Sequence, residues 1–449
     1  MAYNGGNEPF KEDLMMQAGF GRLDITPPLG TPLAGYFHAR FVKSVWDPIE
    51  LNALAIRDEG KTLLIVAFDA MSSGVKELLA IRKRISERTD VPVDHILIQP
   101  LHQHTSITLN AGDKNTVTDT AYVDLLTRKF CDVCQMAIND LADAKLGVAA
   151  QQTSEPISFI RRFRMKDGSI GDSCFREMEE YESFLGEADN NVRLLRFVRE
   201  GKRDIALVNF CTHPDVIARS YITADWPGFV RRMTEARNPD THCMVLTGFQ
   251  GDTNHINVFL PKSERGKGYE HSEKMGRIIA DAVELAWDKV EMQTDDTLLA
   301  QTRDVFIKSN MKGIEHFEEC REFVEKYGAT MGENGEKYTP SGIIYYEASC
   351  IASLPDRPAI WRVSVPMMAI GKVVLIGFPG EPFTSYMHTM RKQAPDKFLL
   401  CLMQTNGGVG YFPDKQAYAE GTYEVVTSPF DSEIEDKLLA TTDKMLNSF

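Results

Sequence analysis

The amino-acid sequence predicts an α/β protein with a mixed, largely parallel central sheet covered by helices. Two observations support this class. Short runs of almost wholly apolar residues recur at strand length, as expected of strands buried on both faces of a sheet, and longer stretches with helical periodicity separate them. Strands that alternate with helices are typical of such a sheet. Because ligands bind beyond the carboxyl ends of its strands, we expect the active site at that edge.

Each predicted strand is an apolar run bounded by turn residues. In chain order these runs are 62–70, 95–100, 204–212, 242–248, 372–380 and 398–405. The predicted helices have apolar residues every three or four positions. In chain order they cover 74–89, 120–143, 227–237, 272–290 and 313–328.

Two segments fit the alternation less well. Residues 151–203 are predicted to form strands and hairpins, with a turn at "REGK". Residues 329–362 are rich in Gly, Pro and aromatic residues and could form an excursion over the site. Within them, 343–354 could line an apolar cleft or form a core strand. No shift in composition marks a boundary, so 1–449 is predicted to be a single domain.

Composition and charge restrict the possible function. The chain has 449 residues, of which 43% are hydrophobic and 25% charged, and its net charge is −14. Nucleic-acid binding requires clustered Lys and Arg that neutralise phosphates, and no such cluster is present, so we predict no nucleic-acid partner. The N-terminal residues lack the pattern of a signal peptide, and no apolar run is long enough to span a membrane. We therefore expect a cytoplasmic protein as given, with a processed secreted form as the alternative.

The eight cysteines are scattered along the chain, so reduced thiols are expected. Cys131 and Cys134 have CxxC spacing, but they lie in a helical pattern without a second pair to complete a zinc site. No GxSxG motif is present, so a serine or cysteine nucleophile has little support. The remaining candidate of this kind is the "GDS" at 171–173 with the adjacent Cys174, which could pair with His213.

Polar side chains follow several predicted strands at their carboxyl ends. They are Asp69, His102, His104, His213, Asp215, Asp252, Glu381, Asn406 and Tyr411. Two neutral imidazoles with one carboxylate are a usual ligand set for a catalytic zinc ion, with one position left for water. The strand ends therefore predict a metal site.

The segment "LHQHTS" at 101–106 carries two of these histidines. Residues two apart on an extended segment point to opposite faces. His102 and His104 can therefore share one ion only if a turn intervenes; otherwise one binds the metal and the other acts behind it or on the substrate. An HExxH helix is absent, which excludes the usual metalloprotease arrangement. Arg161 and Arg162 could lie on the surface of a hairpin, or one of them could bind an oxyanion or a substrate carbonyl.

Six motifs in order resemble the catalytic domain of the neutral or alkaline (non-lysosomal) ceramidases. They span about residues 18–425, nearly the whole chain. They are "AGFGRLDITPPLGTPLAGY" (18–36), "LHQHTS" (101–106), "VNFCTHPD…YITADWPGF" (208–229), "TGFQGDTNHIN" (247–257), "GFPGEPF" (377–383) and "TNGGVGYFPDKQAYAEGTYE" (405–424).

The resemblance implies a hydrolase that cleaves the amide bond of N-acyl sphingoid lipids with one zinc ion per chain. It implies that four residues hold the zinc, namely His102, His213, Glu381 and Tyr411. His104 would lie beside the metal and contact the reacting amide, and Tyr423 would bind substrate. Either Arg161 or Arg162 would be the active-site arginine.

The chain also differs from the family. It reads "HQHTSI" where family members commonly have "HTHSGP", so the sequence does not predict a turn after the histidines, and we expect substrate preference to differ there. The C-terminal β-sandwich domain and the secretory leader of the family are not expected in this chain.

We therefore predict that the protein hydrolyses an N-acyl, ceramide-like amide by zinc-activated water. Asp225 and Asp252 are expected either to accept hydrogen bonds from metal-bound histidines or to order loops. Two alternatives remain open: a metal-dependent esterase or amidase for a non-lipid small molecule, and an inactive metal-containing binding protein. The expected partners are a small-molecule or lipid amide and, in a homo-oligomer, further copies of the chain.

Overall fold

The computed structural model describes residues 16–36, 40–58, 60–109, 120–328 and 342–449. Residues 329–341, the first part of the predicted excursion, lie outside this description. In chain order the helices are α1 (Val75–Thr89), α2 (Thr120–Asn139), α3 (Asp225–Arg237), α4 (Tyr269–Trp287), α5 (Phe317–Gly328), α6 (Gly342–Ala352), α7 (Thr384–Gln393), α8 (Lys415–Glu420), α9 (Tyr423–Thr427) and α10 (Ile434–Leu446).

The strands are much more numerous than the six predicted, because many are short or lie in the segment 151–203. In chain order they are β1 (Gln17–Asp24), β2 (Pro32–Leu33), β3 (Arg40–Phe41), β4 (Ser44–Val45), β5 (Glu50–Asp58), β6 (Lys61–Phe68), β7 (Ile96–Pro100), β8 (Ala142–Gln152), β9 (Phe159–Ile160), β10 (Phe163–Met165), β11 (Ile170–Gly171), β12 (Tyr181–Phe184), β13 (Asn191–Arg199), β14 (Asp204–Phe210), β15 (Tyr221–Ile222), β16 (Thr241–Thr247), β17 (Thr253–Asn254), β18 (Glu291–Met292), β19 (Leu298–Lys308), β20 (Ile360–Ile370), β21 (Val373–Gly377), β22 (Glu381–Pro382), β23 (Phe398–Leu402) and β24 (Tyr411–Phe412).

The largest sheet is mixed and flanked by helices, which confirms the predicted class. Its strand order is β16-β14-β13-β8-β1-β5-β6-β7, with β18 paired to β8. Only β6 with β7 and β14 with β16 pair in parallel, so the expectation of a largely parallel sheet was wrong. The reason is connectivity. A helix, α1 or α3, joins each parallel pair, whereas the strands between them pair antiparallel.

A second sheet has the order β19-β20-β21-β23 and contains one further strand-helix-strand unit, β21-α7-β23. Alternate residues of its strands face different cores. Leu375 packs into the core shared with the large sheet, whereas Ile376 packs into the core under α7 and α10. The same alternation occurs in β6, where Ile65 joins the shared core and Val66 faces α1 and α2. Here the layers are therefore helix, sheet, sheet and helix.

Helix α2 shows how the sequence pattern produces this packing. Its buried residues recur at helical spacing, at Leu126, Phe130, Val133, Cys134 and Ala137. Cys131 and Cys134 thus belong to a helix face, as predicted, and all eight cysteines are free. The helix ends at Asn139 rather than at 143 because the chain turns there into β8.

The segment 343–354 is not a core strand. Most of it forms α6, which packs against α5 and α9. Isoleucines and tyrosines favour strands only when a pleated neighbour is available, and here two helices provide the contact instead. None of the described helices is both long and apolar enough to cross a bilayer.

Candidate active site

The candidate metal ligands follow strands of both sheets. His102 follows β7 and His213 follows β14, both in the large sheet. Glu381 begins β22, shortly after β21, and Tyr411 begins β24, after β23. β22 and β24 pair in parallel with Glu381 directly opposite Tyr411. The polar strand ends that the sequence predicted as one site thus come from two layers.

The "HQH" segment does turn, although its sequence does not predict a turn. β7 ends at Pro100, and His102 adopts a left-handed backbone with φ of 75°. A turn follows at His104 and Thr105. As a result the rings of His102 and His104 lie on the same side, with their Nε2 atoms 3.4 Å apart. The geometric objection to both histidines facing one ion therefore does not apply.

Three of the predicted ligands meet. The Glu381 Oε2 atom lies 3.3 Å from His102 Nε2 and 3.2 Å from His213 Nε2. Ring nitrogens of His102, His104 and His213 also lie within 4.8 Å of one another. Such distances are those of direct His–Glu ion pairs and also of side chains that share one metal ion.

The hydrogen bonds fit a metal ion at this point. Met71 O can only accept, so His102 Nδ1, 2.7 Å away, donates to it, which leaves the Nε2 lone pair facing Glu381. Both ring nitrogens of His213 and Oε2 of Glu381 are buried, yet among the described residues none has a partner with hydrogen-bond geometry. Buried polar atoms without partners require an explanation, and two imidazoles with a carboxylate suit a divalent ion. This group could therefore hold a metal ion.

Burial and the neighbouring side chains shift the pKa values of the clustered residues. Burial alone would raise the pKa of Glu381, but His102 and His213 outweigh burial and hold its pKa well below the usual range. Burial lowers the pKa of His213, and Arg161 lowers it further. Burial and the nearby His102 lower the pKa of His104 to about 3, so its imidazole is neutral near pH 7. Burial lowers the pKa of His102, but Glu381 outweighs burial and raises it. A metal ion binds the ionised carboxylate and neutral imidazoles, so metal binding would release a proton held by His102.

The two candidate arginines have different surroundings. Arg161 donates from Nη2 to the Tyr411 hydroxyl at 3.0 Å and from Nε to Glu424 Oε1 at 2.9 Å. The side chain of Arg162 instead donates from Nη2 to Glu420 Oε2 at 2.8 Å. Both residues lie in the bend between β9 and β10, and of the two side chains only that of Arg161 reaches the cluster.

Tyr423 lies against Tyr411, with ring centroids 5.7 Å apart. Its backbone N–H donates to Asp172 Oδ2 at 2.9 Å. On the other side, the ring of Tyr346 from α6 lies 6.2 Å away. The structure therefore brings Tyr423 and Tyr411 together and adds a third aromatic ring from a neighbouring helix.

Solved structures of ceramidases are similar to this chain. The neutral ceramidase from Pseudomonas aeruginosa aligns with a TM-score of 0.72 and 15% sequence identity, over 97% of this chain and 74% of that chain. The chain has the fold of a neutral ceramidase. A ceramidase complexed with C2 aligns with a TM-score of 0.72 and 14% identity, over 97% of this chain and 75% of that chain. Protein-family models and curated protein sequences give no match.

The neutral ceramidase fold was thus correctly predicted from the six motifs. The alternative nucleophile gains no support from the structure. Cys174 is buried, its Sγ accepts a hydrogen bond from Asn254 Nδ2 at 3.2 Å, and burial raises its pKa to about 11, which keeps the thiol protonated.

Asp225 and Asp252 order loops instead of accepting from the histidines. Asp225 Oδ2 accepts from the Val216 N–H at 3.1 Å, and Asp252 Oδ1 accepts from the Thr384 N–H at 2.8 Å. A backbone carbonyl, that of Met71, accepts from His102 in their place.

Sequence reasoning missed Glu424 and His255. Glu424 is 1% exposed and forms an ion pair with Arg161. It directly follows Tyr423 in the "TYE" motif, so a search for an acid to pair with Arg161 could have found it. His255 lies with Nδ1 3.4 Å from Oδ1 of Asp215. The one sequence feature that could have indicated His255 is its position in the motif "TGFQGDTNHIN".

Gly35 permits a close approach to His104. Its φ is 97°, and a Cβ atom there would lie 2.8 Å from Cγ of His104. We expect Gly35→Ala to lower the free energy of unfolding, because the new methyl group collides with His104 and displaces its imidazole. Gly30→Ala is the matched control, since Gly30 has a φ of 86° but nothing within 4 Å of a Cβ.

Both substitutions carry the backbone strain of about 1–3 kcal/mol that positive φ imposes on a side chain. Only Gly35→Ala adds the collision. Urea unfolding of both variants would measure the difference, and equal losses of stability would show that the contact of Gly35 with His104 is not tight.

Proposed function

We propose that the protein is a zinc-dependent hydrolase that cleaves the amide bond of a ceramide-like N-acyl lipid. The main support is the meeting of His102, His213 and Glu381 within 3.3 Å in a fold similar to that of neutral ceramidase. We infer that Tyr411 is the fourth ligand, because it pairs with Glu381 across two short strands and its hydroxyl is anchored by Arg161. The choice of zinc rests on the nitrogen and oxygen donors, which suit that ion.

When bound, zinc would lower the pKa of a water molecule from about 15.7 to about 7 and polarise the substrate carbonyl. The protein contributes the arrangement around that point. His104 is neutral, and its ring lies beside those of both histidine ligands, with centroids 4.9 Å from His102 and 5.9 Å from His213. Its imidazole can therefore hydrogen-bond the reacting amide, accept a proton from the attacking water and pass that proton to the amine that leaves.

Arg161 positions Tyr411 and contributes positive charge to the site. Its guanidinium binds Tyr411 and Glu424 at the same time, so the plane of the group is held from two sides. This fixed charge would stabilise the negative oxygen that forms when the amide carbonyl is attacked. Arg162 pairs with Glu420 and is assigned no part in the reaction.

Aromatic rings support an apolar substrate. Tyr411, Tyr423 and Tyr346 form a series of neighbouring rings, and Tyr346 at its outer end is 43% exposed. Such a series offers an apolar wall from the surface to the ligand cluster, along which a hydrocarbon chain can lie.

The test combines metal analysis with a substrate panel. The purified chain should contain close to one zinc ion and should hydrolyse an N-acyl sphingoid lipid faster than a short N-acyl amide or an ester of equal chain length. Preferential hydrolysis of the ester or the short amide would favour the alternative small-molecule enzyme. A zinc-loaded chain that cleaves none of the three would overturn the proposal and leave a metal-containing binding protein. The single domain, cytoplasmic location and homo-oligomer remain predictions.

A further inference from the structure

A buried ion pair lies directly behind the "HQH" segment. Asp69, which is 0% exposed, follows β6. Arg231 from α3 donates from Nη1 to Asp69 Oδ1 at 3.0 Å and from Nη2 to Asp69 Oδ2 at 2.5 Å. Arg231 Nε also lies 2.9 Å from Glu50 Oε2. The carboxylate of Asp69 is therefore neutralised by a bidentate ion pair with Arg231, which holds it between the end of β6 and helix α3.

Gln103, the residue between the two histidines, binds this ion pair. Its side chain is fully buried, and Nε2 donates to Asp69 Oδ1 at 2.6 Å. The amide has one acceptable orientation, because the reverse would point its oxygen at a carboxylate that can only accept. Gln103 thus anchors the segment on the side away from the metal ligands.

The same short stretch of chain holds His102. The His102 N–H donates to Ala70 O at 2.7 Å, and its Nδ1 donates to Met71 O at 2.7 Å. Three consecutive residues, 69–71, therefore bind two consecutive residues of the "HQH" segment. Two of these contacts are made by His102 and the third by the side chain of Gln103.

His102 needs such contacts because its backbone is strained. A φ of 75° is unfavourable at a residue other than glycine and persists only where surrounding contacts enforce it. An extended His102 would turn its ring away from Glu381 and His213. The strain is therefore part of what directs Nε2 toward the ligand cluster.

We propose that Gln103 is a positioning residue, which uses the Asp69–Arg231 ion pair to hold His102 in its metal-binding conformation. This inference rests on the proposed function, because it concerns the metal site assigned there. Residues that orient metal ligands from behind change metal affinity by about 10- to 100-fold when they are replaced. Gln103 is expected to fall in that range.

The test is Gln103→Met, which keeps the length of the side chain and removes the amide. The matched control is Asn209→Leu, which removes a buried amide that donates to Leu246 O at 3.0 Å between β14 and β16. Zinc affinity is measured by competition with a chelator, and the visible spectrum of the Co²⁺-loaded protein reports the ligand geometry. Urea unfolding of the metal-free proteins measures the structural cost of each change.

We expect Gln103→Met to weaken zinc binding about 10- to 100-fold and to alter the Co²⁺ spectrum, whereas Asn209→Leu loses stability but keeps both. Equal zinc affinity and an unchanged spectrum in Gln103→Met would overturn the inference. If Gln103→Met does not fold, Gln103→Asn, which is one methylene too short to reach Asp69, is subject to the same expectation. A parent protein that binds neither ion would refute the proposed metal site itself, which separates failure of that proposal from failure of this one.

Discussion

Replacing Glu381 with glutamine will remove zinc binding and lower kcat/KM for the lipid amide by about 1,000-fold or more. The amide has nearly the shape of the carboxylate but lacks its charge, and Glu381 Oε2 is the atom that approaches both His102 and His213. A metal ion supplies several kcal/mol of transition-state stabilisation, and each 1.36 kcal/mol is worth about tenfold in rate. Zinc content and steady-state kinetics of the purified variant would measure the effect.

Glu420→Gln is the control for this change. It also neutralises a carboxylate in an ion pair with an arginine, but that arginine is Arg162. We expect Glu420→Gln to keep its zinc and most of its activity. A Glu381→Gln protein with one tightly bound zinc ion and parental kinetics would show that Glu381 is not a ligand and that the metal is bound elsewhere.

The second large effect concerns Arg161. Arg161→Lys keeps the positive charge but loses the planar group that reaches both Tyr411 and Glu424. Removal of one donor that stabilises an oxyanion typically lowers kcat by about 100- to 1,000-fold, and we expect a loss in this range with a smaller change in KM. Steady-state kinetics on the lipid amide would separate the two parameters.

Arg162→Lys provides the comparison at the adjacent residue. Arg162 is 2% exposed and ion-paired, so its replacement should lower stability while kcat stays within a few fold of the parent. If Arg162→Lys had the larger effect on kcat, the assignment of the two arginines would have to be reversed.

The sequence was a good guide to the buried strands. The runs at 62–70, 95–100, 204–212 and 242–248 coincide with strands of the large sheet, because strands covered on both faces need apolar residues throughout. Whether neighbouring strands pair in parallel or antiparallel was harder to predict from the sequence. β5 and β6 form a hairpin across a short connection, and no periodicity within either strand distinguishes that outcome from a parallel crossover.

The residues of the candidate site could be predicted from the sequence, but their arrangement in space could not. His102, His213 and Glu381 were recognisable as polar residues after apolar runs, yet the left-handed backbone of His102 depends on contacts with residues 69–71. The choice between Arg161 and Arg162 likewise depends on which side chain of the bend between β9 and β10 contacts Tyr411. Neither feature is encoded by local residue pattern, because both are decided by tertiary neighbours.

The distribution of the ligands over two sheets has a consequence for folding. His102 and His213 follow strands of the large sheet, whereas Glu381 and Tyr411 begin the short paired strands β22 and β24, which follow β21 and β23 of the smaller one. An ion held by all four would act as a cross-link between the layers, and its binding free energy would add to their cohesion. Hydrogen exchange at the carboxyl ends of β7, β14 and β21 should then slow together when metal is added, as a single cooperative unit.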